Sequence, residues 1–186
     1  MSLNHSLTDM DIKMLVMDVD GTLTDSKIYM SPNGELMKAF NIKDGYAIAR
    51  LRAYGIEPVI ITGRSSKIVQ QRSAELKITE LHQGVDNKSY KLREICKRRQ
   101  VTLSQVAYIG DDLNDLSCMK ICGFSACPAD AMKQVRDSVN FVCEANGGNG
   151  AVRELIDFLL SKQTYEDFPD YNFHEVKYET DTNIND

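Results

Sequence analysis

Two carboxylates set two residues apart, Asp18 and Asp20, close the apolar run Met14-Leu15-Val16-Met17 and run into Gly21 and Thr22. A buried strand cannot hold bare carboxylates, because an unpaired buried charge is too costly. The pair is therefore expected at the carboxyl end of a strand, facing a cleft, where open α/β sheets bind their ligands. Two acids this close attract a cation or share an acid/base task. Gly21 lets the chain turn sharply away. A calcium loop would need a Glu at its twelfth position; counted from Asp18, that position is Tyr29.

Two more apolar runs end in polar clusters. Val59-Ile60-Ile61 closes on Thr62-Gly63-Arg64-Ser65, and Val106-Ala107-Tyr108-Ile109 closes on Gly110-Asp111-Asp112-Leu113-Asn114-Asp115. Parallel strands would bring these ends to one edge of a sheet, with Lys88 reaching the same edge from the start of a helix. Such an edge suits a phosphate with a divalent cation. The acids would hold magnesium, a hard ion that prefers oxygen ligands. Thr62, the backbone after it and Lys88 would hold the phosphate oxygens. A carboxylate among these can attack phosphorus and form an aspartyl phosphate.

The elements that would carry these residues alternate. The first strand is expected over 13–18 and further strands over 57–62, 80–82, 106–109, 124–127 and 139–142. Helices are expected from Asp44 as N-cap to Gly55, through about Leu76, over 88–99, near 130–136 and over 151–161. Alternation of this kind predicts an α/β fold with a doubly wound parallel sheet. Between residues 27 and 42, two short extended patches, around Ile28-Tyr29-Met30 and over Leu36 to Ile42, flank Ser31-Pro32-Asn33-Gly34, which is turn chemistry and predicts a β-hairpin insertion. Asp18 and Thr62 are 44 residues apart and Thr62 and Lys88 are 26 apart. Neither gap holds a separate cap domain of ordinary size, about 50 residues or more. One domain over 1–161 and a tail over 162–186, disordered or docking on a neighbouring subunit, are expected.

A net charge of −5 argues against a nucleic-acid or polybasic membrane surface. No apolar run approaches the ~20 residues that cross a bilayer, and no signal-peptide pattern opens the chain. The five cysteines, Cys96, Cys118, Cys122, Cys127 and Cys143, are odd in number and irregularly spaced. They read as small buried hydrophobes in a reducing cytoplasm rather than a disulfide framework or a zinc site.

Asp18-Val19-Asp20-Gly21-Thr22, Thr62, Lys88 and Gly110-Asp111-Asp112 with Asp115 resemble, in order, the four motifs of the haloacid dehalogenase superfamily of phosphotransferases. The resemblance covers about 13 to 160. Its finer pattern, in Thr22-Leu23-Thr24-Asp25, Phe40-Asn41-Ile42-Lys43-Asp44-Gly45, Thr62-Gly63-Arg64-Ser65 and Gly147-Gly148-Asn149-Gly150-Ala151-Val152-Arg153-Glu154, is similar to the 3-deoxy-D-manno-octulosonate 8-phosphate phosphatases. The resemblance implies an uncapped Rossmann-like core and a place in lipopolysaccharide biosynthesis. It implies Asp18 as nucleophile and magnesium ligand. Asp20 would be the general acid and then the base, its main-chain carbonyl also on the metal. Thr62 and Lys88 would bind the phosphoryl group, with Gly63 and Arg64 as further substrate contacts. Asp111 would ligate the metal, with Asp112 and Asp115 in support. It also implies a homotetramer in which hairpins meet at the centre and adjoining chains wall off each site.

Two other readings stay open at this point. One is a phosphatase of another nonulosonate phosphate; the other is a non-catalytic, phosphatase-like partner of a cytidylyltransferase. The second would be expected to lose Asp20 or a third-loop acid, and both are intact. A phospho-receiver domain shares the sheet, the acids, a Thr and a Lys, but has no need of a second acid at Asp20.

Overall fold

The computed structural model describes residues 11–161. The strands are β1 (Met14–Met17), β2 (Tyr29–Ser31), β3 (Gly34–Met37), β4 (Glu57–Ile61), β5 (Glu80–His82), β6 (Val106–Ile109), β7 (Phe124–Cys127) and β8 (Phe141–Val142). The helices are α1 (Ile42–Arg50), α2 (Lys67–Glu75), α3 (Lys88–Arg99), α4 (Leu116–Met119), α5 (Lys133–Arg136) and α6 (Ala151–Leu159). Six strands pair in parallel in the order β5-β4-β1-β6-β7-β8. The chain winds outward from β1 on one side, then returns to β6 and winds outward on the other. The switch point, where such sheets open a crevice, therefore lies between β1 and β6.

All four residues of β1 are buried, because both faces of a central parallel strand are covered. Leu15 and Met17 join a core with residues of α1, α2 and α6, while Met14 and Val16 join a second core with α3 and α4. The doubly wound arrangement expected from the alternation is thus present.

α1 starts one turn earlier than the sequence suggests. Asn41 is its N-cap, its side chain accepting from the amides of Lys43 and Asp44. Asp44 instead lies inside the helix, 2% exposed, and its Oδ1 accepts from the amide of Arg153 in α6 at 2.7 Å. α6 has no side-chain cap of its own, so a residue of another helix meets its unpaired N–H groups. After a 3₁₀ turn over Leu51–Tyr54, Gly55 ends the segment in the left-handed conformation, φ 72°.

β2 and β3 form the hairpin, paired antiparallel with Met30 opposite Glu35. Its second strand is shorter than the extended patch predicted over 36–42. Phe40 leaves the hairpin to pack against the core, and Asn41 already commits the chain to α1. Ile28, Met30, Leu36 and Met37 on the hairpin are exposed. Between β1 and α1 the chain holds only this insertion. No helix among the described residues is long and apolar enough to cross a membrane. The tail over 162–186 lies outside the described residues.

Candidate active site

Register fixes the site. Met17 pairs with Ile60 on one side and Ile109 on the other, so Asp18, Thr62 and Gly110 leave adjacent strands at the same edge. The amide of Asp18 still donates to Ile109 O at 3.0 Å, and that of Thr62 to His82 O at 2.9 Å. Lys88 is the first residue of α3, behind the Asn87 cap. The acid turn that follows Asp18 is held by main chain: Val19 O accepts from the amides of Thr22, Leu23 and Thr24. At Gly21, φ is +98°, and a Cβ there would lie 1.9 Å from Asp111 Oδ2. From behind, a Cβ on Gly147 would lie 1.9 Å from Gly21 O, and the amide of Gly148 donates to Thr22 O at 3.0 Å. Glycine at 147 and 148 lets these backbones meet, and glycine at 21 leaves room for the Asp111 carboxylate.

Lys88 Nζ lies 2.9 Å from Asp18 Oδ1 and 2.7 Å from Asp115 Oδ1. Asp115 is wholly buried and also accepts from the Tyr108 hydroxyl at 2.6 Å and the amides of Asp111 and Asp112 at 3.2 and 3.3 Å. Asp18, 5% exposed, has its carboxyl pKa raised to about 6 by burial and then by the charge of Asp115, with Lys88 opposing. Asp111 is raised to about 7 by burial and by Asp18, Asp115 and Asp112, although the Thr22 hydroxyl donates to it at 3.3 Å. Burial works against the Lys88 ammonium, but Asp18 and Asp115 outweigh it and hold its pKa above the usual lysine value.

Oxygens of Asp18, Asp111 and Asp115 lie within 4.8 Å of one another. Three buried or half-buried carboxylates face one ammonium, an excess of negative charge that a divalent cation balances. Asp18 Oδ1 is buried and no donor is aligned for a hydrogen bond to it; its contact with Lys88 is an ion pair only. Asp115 is taken up by four protein donors, which leaves Asp18 and Asp111 as the available ligands. An all-oxygen set of this kind fits a hard ion such as magnesium.

The remaining expected residues fall around this centre. Thr62 is buried at the edge and Gly63 is exposed beside it. Asp20 is ion-paired to Lys38 and, more loosely, to Arg64 at 3.9 Å. Arg64 also reaches Glu35 at 3.5 Å. The carboxylate of Asp112 is turned out, accepting from its neighbour's amide at 2.7 Å. Sequence reasoning missed Tyr108, Glu35 and Lys38. A tyrosine inside a buried strand must find a partner for its hydroxyl, which was the one signal for the first.

A family model of haloacid dehalogenase-like hydrolases matches residues 78–155. The 3-deoxy-D-manno-octulosonate 8-phosphate phosphatase of Escherichia coli K12 is 44% identical over 153 residues, 82% of this chain and 81% of that protein. The chain belongs to the 3-deoxy-D-manno-octulosonate 8-phosphate phosphatase family. Members of this family are phosphoric monoester hydrolases. The cobalt-bound Haemophilus influenzae phosphatase superposes with a TM-score of 0.81 at 36% identity, covering 86% of this chain and 97% of that one. The Moraxella catarrhalis phosphatase, solved with a magnesium ion, a phosphate ion and a KDO molecule, gives a TM-score of 0.79 at 40% identity, over 82% of this chain and 87% of that one.

Proposed function

We propose that this protein is a magnesium-dependent phosphomonoesterase acting on 3-deoxy-D-manno-octulosonate 8-phosphate, within lipopolysaccharide biosynthesis. The observation that carries the reading is the convergence of Asp18, Thr62, Lys88 and Asp111 on one sheet edge, with Asp20 two residues beyond the nucleophile. Asp18 attacks phosphorus through a carboxylate oxygen as the ester P–O bond breaks. Asp20 gives its proton to the departing sugar oxygen. Asp20 then takes a proton from water, whose oxygen displaces the Asp18 carboxylate and releases phosphate. Thr62, the Gly63 amide and Lys88 hold the phosphoryl oxygens, and Arg64 faces the sugar acid. When bound to Asp18, Asp111 and the Asp20 carbonyl, magnesium supplies charge neutralisation for the phosphoryl oxygens. Asp115 and Asp112 shape that loop.

The test is phosphate release from 3-deoxy-D-manno-octulosonate 8-phosphate, a nonulosonate phosphate and hexose phosphates, with magnesium and with chelator. Turnover of the octulosonate ester that stops on chelation is expected. Failure on every sugar-acid phosphate overturns the substrate, and activity in an Asp18→Asn variant overturns the mechanism.

We further place the protein in the cytoplasm as a homotetramer with the hairpins at its centre. Free cysteines among the described residues support a reducing compartment. Ile28, Met30, Leu36 and Met37, 49%, 62%, 62% and 47% exposed, supply the apolar contact surface. An active monomer in sedimentation would rule out the assembly.

A further inference from the structure

The hairpin contributes one side chain to the inside of the molecule. Lys38, the residue after β3, has a side chain only 1% exposed, while its neighbours Leu36 and Met37 face solvent. Its ammonium pairs with Asp20 Oδ1 and, at 3.1 Å, with Glu35 Oε1. Glu35 is itself held by the Ser66 hydroxyl, which donates to Oε2, and by Arg64 Nη2 at 3.5 Å from Oε1. Arg64 Nε completes a ring of alternating charge at 3.9 Å from Asp20 Oδ2.

Burying a lysine is costly unless its charge is matched. A lysine that merely pinned the hairpin would do so from the surface, where its flexible stem and hydration are kept. This one is committed to the carboxylate assigned to proton transfer, and to a single oxygen of it. A carboxylate at the end of a short side chain has a broad terminal torsion. Lys38 on Oδ1 removes that freedom. Among the described residues, Oδ2 is left with only the loose Arg64 contact, so it is the oxygen free to meet an incoming group.

We propose that Lys38 is a positioning residue for the acid/base step: it holds Asp20 Oδ1 so that Oδ2 faces the leaving oxygen, with Glu35 and Ser66 fixing Lys38 in turn. The inference rests on the reading of Asp20 as general acid. In the step it serves, the proton passes from Asp20 Oδ2 to the sugar oxygen as the P–O bond breaks and the Asp18–phosphorus bond forms.

A leaving group that needs no proton tests this directly. p-Nitrophenolate departs as the anion, whereas a sugar alkoxide does not. Lys38→Met is expected to lower kcat/KM for 3-deoxy-D-manno-octulosonate 8-phosphate by about 10- to 100-fold. Its effect on p-nitrophenyl phosphate should stay within about threefold. In an Asp20→Asn background, Lys38→Met should cost nothing further, because residues acting as one unit are not additive. Lys38→Arg should recover part of the sugar-phosphate activity, and Lys38→Gln gives the same comparison should the Met variant not fold. Equal losses on both phosphates, or an added loss in the Asp20→Asn background, would show that Lys38 only supports the hairpin and would overturn the proposal. Full activity of Lys38→Met beside an inactive Asp20→Asn defeats this proposal alone. Full activity of Asp20→Asn on the sugar phosphate defeats the acid/base reading beneath it.

Discussion

Asp44 accepts a 2.7 Å hydrogen bond from the amide of Arg153, a residue 109 positions further along. The contact joins the first helix to the last and meets an amide that α6 cannot satisfy itself. Asp44→Ala is expected to destabilise the fold by about 1–2 kcal/mol, the usual worth of a lost cap. Asp44→Asn keeps an acceptor and should lose less. Denaturant melts check both; identical midpoints for wild type and Asp44→Ala would refute the bridging role.

Lys88 stands between two buried acids, and its removal leaves both without a counter-charge. Lys88→Met is expected to cost about 3–5 kcal/mol, the range for breaking a buried pair on one side. It should also abolish turnover. The stability loss should shrink on acidification, as Asp18, raised to about 6, takes a proton. A loss that is the same at every pH would contradict the pairing.

Metal binding and pH are linked through the same acids. The folded-state values of Asp18 and Asp111, about 6 and about 7, lie above the ordinary 3.8. The metal-free fold therefore binds protons more tightly than the unfolded chain. Its stability from these groups is fullest below 3.8 and falls as pH rises toward about 7. A divalent cation takes the protons' place. Magnesium should raise the melting temperature more at about pH 8 than at about pH 5, relative to chelator. Equal shifts at both pH values would argue that the cation binds elsewhere.

Glu80 carries the opposite sign. Burial works to raise its carboxyl, but hydrogen bonds from His82, Arg99 and Arg98 outweigh that and hold it at about 2. Its contribution is present above 4.5 and is lost as pH falls from 4.5 to about 2. Glu80→Gln should flatten the acid limb of the stability curve over that window. Arg98 and Arg99 are 54% and 37% exposed, so the difference should narrow in high salt. An unchanged acid limb in the variant would remove Glu80 from acid unfolding.

The candidate site's edge was readable because its residue types contradict their surroundings. Carboxylates and a threonine at the ends of apolar runs make no sense unless those runs stop together, with the lysine that opens α3 beside them. β1, β6 and the Val59-Ile60-Ile61 stretch of β4 were legible as apolar segments for the same reason that they are central. Asp44 was misplaced because a local rule sees an acid before an amphipathic run and cannot know that its partner lies in α6. Asn41 satisfies the same rule three residues earlier, and the structure uses it. Glu35 and Lys38 were invisible for a related reason: on a short hairpin, charges look solvated, and only the way the hairpin folds back over Asp20 turns Lys38 inward. The extended patch over 36–42 was too long because Phe40 answers to the core and not to the strand pattern.

Gly21 and Gly147 meet backbone to backbone, with no side chain between the loop that carries the acids and the loop behind it. Such a joint has no rotamers to repack and no methyl to lose. The turn that carries Asp18 and Asp20 thus meets the loop behind it through peptide planes, so its seat on that side does not depend on which rotamer a neighbouring side chain adopts.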